Sequence, residues 1–117
     1  MVNYLDATLA ALADPTRRRV VELLRERPRR AGELASAVAA SGPAMSKHLR
    51  VLRAGGLVEE ARAADDARVH IYRLRPEPFV ALGGWLDHVQ AFWDGQLDAF
   101  KEHVERQQAG ERTGASE

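Results

Sequence analysis

Cysteine is absent from this chain of 117 residues. Its absence excludes every thiolate metal site and every cysteine nucleophile, and it suits a cytosolic protein. Long apolar runs are missing as well: nothing approaches the roughly 18 residues that a membrane span needs. No signal-peptide pattern opens the chain, so the expectation is a soluble, cytoplasmic protein without membrane contact. A glycine-rich phosphate loop is also lacking. Ser46 and His48 stand two apart on a predicted helix, about 200° around its axis, and cannot pair as nucleophile and base. Glu59 and Glu60 alternate to opposite faces of a predicted strand. With no catalytic constellation, neither an enzyme nor a cofactor is expected.

Net charge is the last thing missing, since 17 Lys and Arg offset 17 Asp and Glu. The zero hides a segregation. Residues 15–75 carry 14 basic against 7 acidic side chains, a net of +7. Residues 76–117 carry a net of −5 and residues 1–14 a net of −2. A basic middle between acidic ends points to a polyanionic partner.

The chain divides into short periodic segments. Leu5, Leu9 and Leu12 form one stripe of a first helix that Asn3 is placed to cap. Asp14-Pro15 reads as N-cap and first helical position of a second helix to about Arg27, with Val20, Leu23 and Leu24 inward, stopped by Pro28. A third short helix over 31–38 turns Leu34, Ala35 and Val38 inward. The connection 39–42 then forces the next helix to cross steeply, as in a helix-turn-helix. In that fourth helix Ser41 caps the start, Pro43 suits the first turn, and Met45, Leu49 and Leu52 fall within about 60° of one another. Ser46, Lys47 and Arg50 lie away from this apolar stripe, the arrangement a major-groove reader needs, and Ser41 at the helix start is counted with them as a DNA-binding candidate.

After Gly55-Gly56 the pattern turns β-prone over 57–62 and 69–75, with a hairpin tip at 63–67. Arg62 and Arg68 flank the tip of this wing, where a phosphate or the minor groove is within reach, and Asp65 and Asp66 are expected to point away. Arg17, Arg29 and Arg30 are further phosphate candidates. His48, at the edge of its helix's apolar stripe, is read as a packing or phosphate-contacting residue, and His70 as a half-buried hairpin residue. From Phe79 a last helix carries Phe79, Leu82, Leu86, Val89, Trp93, Leu97, Phe100 and Val104 in one seam, widened by Trp85 and Phe92 and roughly 39 Å long. A small domain cannot cover such a seam, so a homodimer interface is expected from Trp85, Val89, Trp93, Leu97 and Phe100 with Leu5 and Leu9. Residues 1–106 are thus expected to form one DNA-binding and dimerisation domain, and 107–117, without apolar periodicity, a disordered tail.

Residues 12–19 (Leu-Ala-Asp-Pro-Thr-Arg-Arg-Arg), 32–35 (Gly-Glu-Leu-Ala) and 45–52 (Met-Ser-Lys-His-Leu-Arg-Val-Leu), with Gly56-Leu57-Val58, resemble the ArsR-type winged-helix regulators of bacteria over about residues 4–105. The aromatic pattern of the last helix is similar to a cysteine-free branch of that family. The resemblance implies a mainly α fold with a small β-hairpin wing: four helices, two strands and a fifth helix. It also implies a homodimeric repressor on an imperfect DNA palindrome that releases it on a signal. Two departures stand out. Gly42 replaces a glutamine able to touch a base edge, which shifts base reading to Ser46, Lys47 and Arg50. Ala39 replaces a turn glycine, which argues against a left-handed turn there. Asp87, His88, Asp98, Glu102 and His103 do not fall at the family's metal-site spacing, so no metal is expected. Two alternatives stay open: a winged-helix module binding an acidic protein, and a metal-responsive repressor. The operator and any small-molecule inducer are not legible.

Overall fold

A computed structural model describes residues 4–115. Asn3, the expected cap of the first helix, lies outside them. The elements run α1 (Tyr4–Ala11), α2 (Pro15–Glu26), β1 (Arg29–Arg30), α3 (Ala31–Ala37), α4 (Gly42–Ala54), β2 (Val58–Arg62), β3 (His70–Leu74) and α5 (Pro76–Ala115). The expected order needs one addition. Two residues after Pro28 pair with β3, Arg29 opposite Tyr72 and Arg30 opposite Ile71, so the hairpin becomes a three-stranded antiparallel sheet ordered β1-β3-β2. A two-residue strand has no period to read; only its partner makes it a strand.

Local chemistry sets the helix ends. The Asp14 carboxylate accepts the Arg17 N–H at 2.9 Å and Pro15 follows it, as the sequence predicts for α2. That hydrogen bond, ahead of the His48 and Arg17 charges, holds the Asp14 carboxyl below its ordinary value of 3.8. A carboxyl depressed in the folded state stabilises the fold above its unfolded pKa and loses that contribution as pH falls through the folded one. Asp14→Ala is therefore expected to flatten the decline of the melting temperature below about pH 4, measured against the wild type by thermal unfolding across that range.

α3 and α4 end in the same way. After α3, Ala39 N–H donates to Ser36 O at 3.3 Å and Ala40 N–H to Ala35 O at 2.9 Å. After α4, Gly56 N–H donates to Arg53 O and Leu57 N–H to Leu52 O, both at 3.0 Å. These are paired Schellman caps, each turning on one left-handed residue. Gly56 has φ 76°; Ala39 has φ 56°. The expectation that Ala39 avoids a left-handed turn is therefore corrected. The cap satisfies two carbonyls and swings the chain into α4, and that outweighs the roughly 1–2 kcal/mol an L-residue loses in this conformation. Ala39→Gly is expected to stabilise the protein by about 0.5–1 kcal/mol, the relief being reduced by glycine's greater freedom when unfolded. Urea unfolding that shows no gain would contradict this.

Two compact units divide the chain between Leu82 and Gly83. In the first, Val20, Leu23 and Leu24 of α2, Leu34 of α3, Met45, Leu49 and Leu52 of α4, and Leu57 and Val58 close one core, joined by Ala11 of α1. The core-facing residues of α1 are Thr8 and Ala11, not its leucines: Leu9 is 41% exposed. The second unit is the remainder of α5, where Trp85, Phe92, Trp93, Leu97 and Phe100 are between 43% and 67% exposed. Residues 1–106, expected to form one DNA-binding and dimerisation domain, contribute to both units. Where a disordered tail was expected at 107–117, α5 continues to Ala115: Gln, Ala, Glu and Arg there are good helix formers, and two glycines, at about 1 kcal/mol each, do not overcome them. Among the described residues no helix is long and apolar enough to cross a membrane.

Candidate nucleic-acid interface

α4 is anchored by one face and open on the other. The Ser41 hydroxyl accepts the Ala44 N–H at 3.2 Å and Pro43 occupies the first turn, so Ser41 acts on the helix start. Met45, Leu49 and Leu52 are at most 2% exposed. Ser46, Lys47 and Arg50 are exposed as predicted. Arg53, at i+7 from Ser46 and i+3 from Arg50, shares their face. Ser46, Leu49, Arg50, Arg53 and Ala54 line an open groove of about 460 Å³ whose far wall is Tyr72 of β3. Arg53 and Tyr72 were not singled out from the sequence; the seven-residue spacing could have flagged Arg53, whereas Tyr72 needed the sheet.

The basic segment looks different once its partners are known. Arg17 turns back on α1, its Nε donating to Ala11 O at 2.6 Å and Nη2 to Ala10 O at 3.3 Å. Arg18 Nη1 donates to Leu12 O at 2.8 Å. Both guanidiniums satisfy carbonyls around the C-terminal end of α1, where a cation is favoured. Arg17, expected at a phosphate, is thus engaged within the protein. Arg29 is held by Leu23 O and by Glu26 at 2.7 Å, with only 14% of its side chain exposed, and is likewise structural. Arg25 lies 3.7 Å from Glu22 and Arg27 3.0 Å from Glu33. The Arg27 hydrogen bond, followed by the Arg30 N–H, holds the Glu33 carboxyl below its ordinary value.

The wing arginines are partly engaged. Arg62 Nη1 donates to Ala67 O, bracing the hairpin tip. Arg68 pairs with Asp66 at 3.2 Å, and its side-chain and backbone hydrogen bonds hold the Asp66 carboxyl below its ordinary value. Asp66 thus folds back onto Arg68 rather than merely pointing away, leaving Arg68 exposed but shared. His48 leaves the groove side altogether. Half-buried, its Nδ1 sits 3.8 Å from the Asp14 carboxylate at the start of α2. Among the described residues of the basic segment, Arg19, Arg30, Lys47 and Arg50 have neither an ion pair nor a side-chain hydrogen bond. Two of these four belong to α4, and Arg30 lends only its backbone N–H to Glu33.

On α5, Asp87, His88, Asp98, Glu102 and His103 are all exposed, and among the described residues no three His, Asp or Glu side chains come together as a metal site. Of the expected interface residues Val89 and Leu5 are half-buried and the remainder exposed.

Comparisons with known proteins agree with this geometry. The Helix-turn-helix domain family matches residues 12–61, which span α2 to β2. The HTH-type transcriptional regulator Rv2034 of Mycobacterium tuberculosis is 40% identical over 100 residues, covering 86% of this chain and 88% of that protein. A crystal structure of an ArsR family transcriptional regulator is 33% identical, with a TM-score of 0.69 over 79% of this chain and 98% of that one. An ArsR-like transcriptional regulator from Rhodococcus sp. RHA1 is 32% identical, with a TM-score of 0.70 over 85% of this chain and 91% of that one. A helix-turn-helix with a hairpin wing, an exposed basic reading face and relatives of this closeness lead to one conclusion: the chain belongs to the ArsR family of winged helix-turn-helix transcriptional regulators.

Proposed function

We propose that the protein is a homodimeric, sequence-specific DNA-binding repressor acting on an imperfect palindrome. α4 enters the major groove, Ser46, Lys47 and Arg50 meet base edges and phosphates, and the hairpin tip with Arg62 and Arg68 lies along the flanking backbone. The observation that carries this reading is the pairing pattern. Most basic side chains of residues 15–75 are engaged within the protein, whereas Lys47 and Arg50 stand exposed and unmatched on one helix face. An unmatched, solvated cation is the group that releases counterions from a duplex at least cost to the fold.

The dimer supplies the second half-site. The seam of α5 pairs with its counterpart in a second copy and with the Leu5 and Leu9 stripe of α1, placing two α4 helices on one face of the duplex, as a palindrome requires. Repression is inferred from the family.

Fluorescence anisotropy tests the reading. The protein is titrated into a duplex from the region upstream of its own gene and into a scrambled duplex of equal length, at two salt concentrations, with zinc and with chelator. Preference for the native duplex, weakened by salt and indifferent to zinc, supports a DNA regulator without a metal effector. A zinc-dependent change would assign it a metal inducer. Salt-insensitive binding, or the same weak binding to both duplexes, would overturn specific recognition of this region and turn attention to an acidic protein partner.

A further inference from the structure

We propose that Glu60 is a positioning residue: it latches the hairpin to the reading helix and thereby sets how sharply the protein distinguishes one duplex sequence from another. The inference rests on the DNA-binding reading above.

Glu60 occupies the middle of β2, opposite Tyr72 of β3. Its carboxylate is the meeting point of three elements. Oε2 accepts from Arg53 Nη1 of α4 at 2.7 Å. Oε1 pairs with His70 Nδ1 of β3. Tyr72 lies directly across from Glu60 on β3, and burial followed by the Glu60 charge pushes its phenol above the ordinary value. Only 21% of the Glu60 side chain is exposed. Glu59 next to it faces the other way and pairs with Arg73 and Arg75. Two adjacent glutamates therefore do different work, and only Glu60 reaches α4.

A carboxylate here is costly for simple affinity. It stands beside the groove that Ser46, Arg50, Arg53 and Tyr72 line, where its charge opposes approaching phosphates. It also holds a guanidinium on the reading face that would otherwise be free for DNA. What it supplies in return is geometry. The hairpin leaves α4 through the Gly55-Gly56 turn, and the Glu60 carboxylate ties it back to the last turn of that helix. Phosphate contacts fix register and base contacts read sequence. A wing held at one distance from α4 lets Arg62 and Arg68 meet the backbone only when Arg50 is in register with its base. A loose wing accepts several registers and so tolerates more sequences.

The test compares Glu60→Ala and Glu60→Gln with Glu59→Gln, which removes the same charge from the opposite face. Each full-length variant, checked for a native circular dichroism spectrum, is titrated into the operator and scrambled duplexes at one salt concentration. Both Glu60 variants are expected to hold or gain affinity for scrambled DNA while their preference for the operator falls about tenfold, the scale of one good base contact. Glu59→Gln is expected to strengthen binding to both duplexes by the same factor. If Glu60→Ala fails to fold, Glu60→Gln, which keeps the shape and loses the charge, decides alone. Glu60 variants that behave like Glu59→Gln would overturn the proposal and leave the DNA reading intact. A wild type with no preference for any duplex would overturn the DNA reading itself, and the proposal with it.

Discussion

Trp93→Asp is expected to convert a dimer into a monomer, weakening self-association by more than about a hundredfold, the scale of a lost aromatic hot spot. Trp93 is 58% exposed and stacks edge-on against Phe92, ring centroids 5.7 Å apart. Leu97 and Phe100 continue the same seam at 63% and 67% exposure. Contiguous apolar surface of this kind marks an interaction site, and helical spacing of three and four residues is what a partner helix meets. An aspartate at its centre would bury a charge with no cation across from it. A separate, polar face of α5 carries Asp87, Asp94 and Asp98. Sedimentation velocity at micromolar concentration reads the result. Asp94→Ala, on that polar face, is expected to stay dimeric, and an intact Trp93→Asp dimer would place the interface elsewhere.

Arg50→Ala is expected to cost about 1–3 kcal/mol on the operator and to relax sequence preference. Arg50 is exposed, free of ion pairs and flanked by Ser46 and Arg53 on the groove face of α4. Its loss leaves no acidic residue unpaired inside the protein, so folding should be untouched and the whole effect should appear in binding. The measurement is anisotropy on operator and scrambled duplexes, each at two salt concentrations. A larger loss on the operator identifies a base contact. Equal losses on both, with a shallower salt slope, would make Arg50 a phosphate contact instead. Arg17→Ala provides the contrast: its guanidinium caps α1, so its loss should lower stability before it lowers affinity.

Much of the architecture was legible because it follows from local rules. Asp14-Pro15 and Ser41 announce the starts of α2 and α4, and Met45, Leu49 and Leu52 mark the buried face of α4 by spacing alone. The α5 seam is legible for the same reason, and its exposure follows from having no core to enter. Side-chain commitment was not legible. Arg17, Arg29 and Arg50 are indistinguishable as letters in a basic segment. One completes a helix end, one is nearly buried against Leu23 and Glu26, and one is left free. His48 shows the same ambiguity, and the structure brings it beside Asp14.

Ala39 marks the boundary between the two kinds of information. Intrinsic preference argued against a left-handed alanine, and intrinsic preference was outweighed by two cap hydrogen bonds and the packing of α3 on α4. The sequence by itself determined the helix starts, the core faces, the basic middle and the winged architecture, since these depend on neighbours within one or two turns. Tertiary structure alone decided the third strand, the left-handed turn, the meeting of Arg53, His70 and Tyr72 at Glu60, and which cations remain for DNA. Those outcomes depend on groups distant in the chain, whose pairing energies of about a kilocalorie or less are decided by geometry and not by residue type.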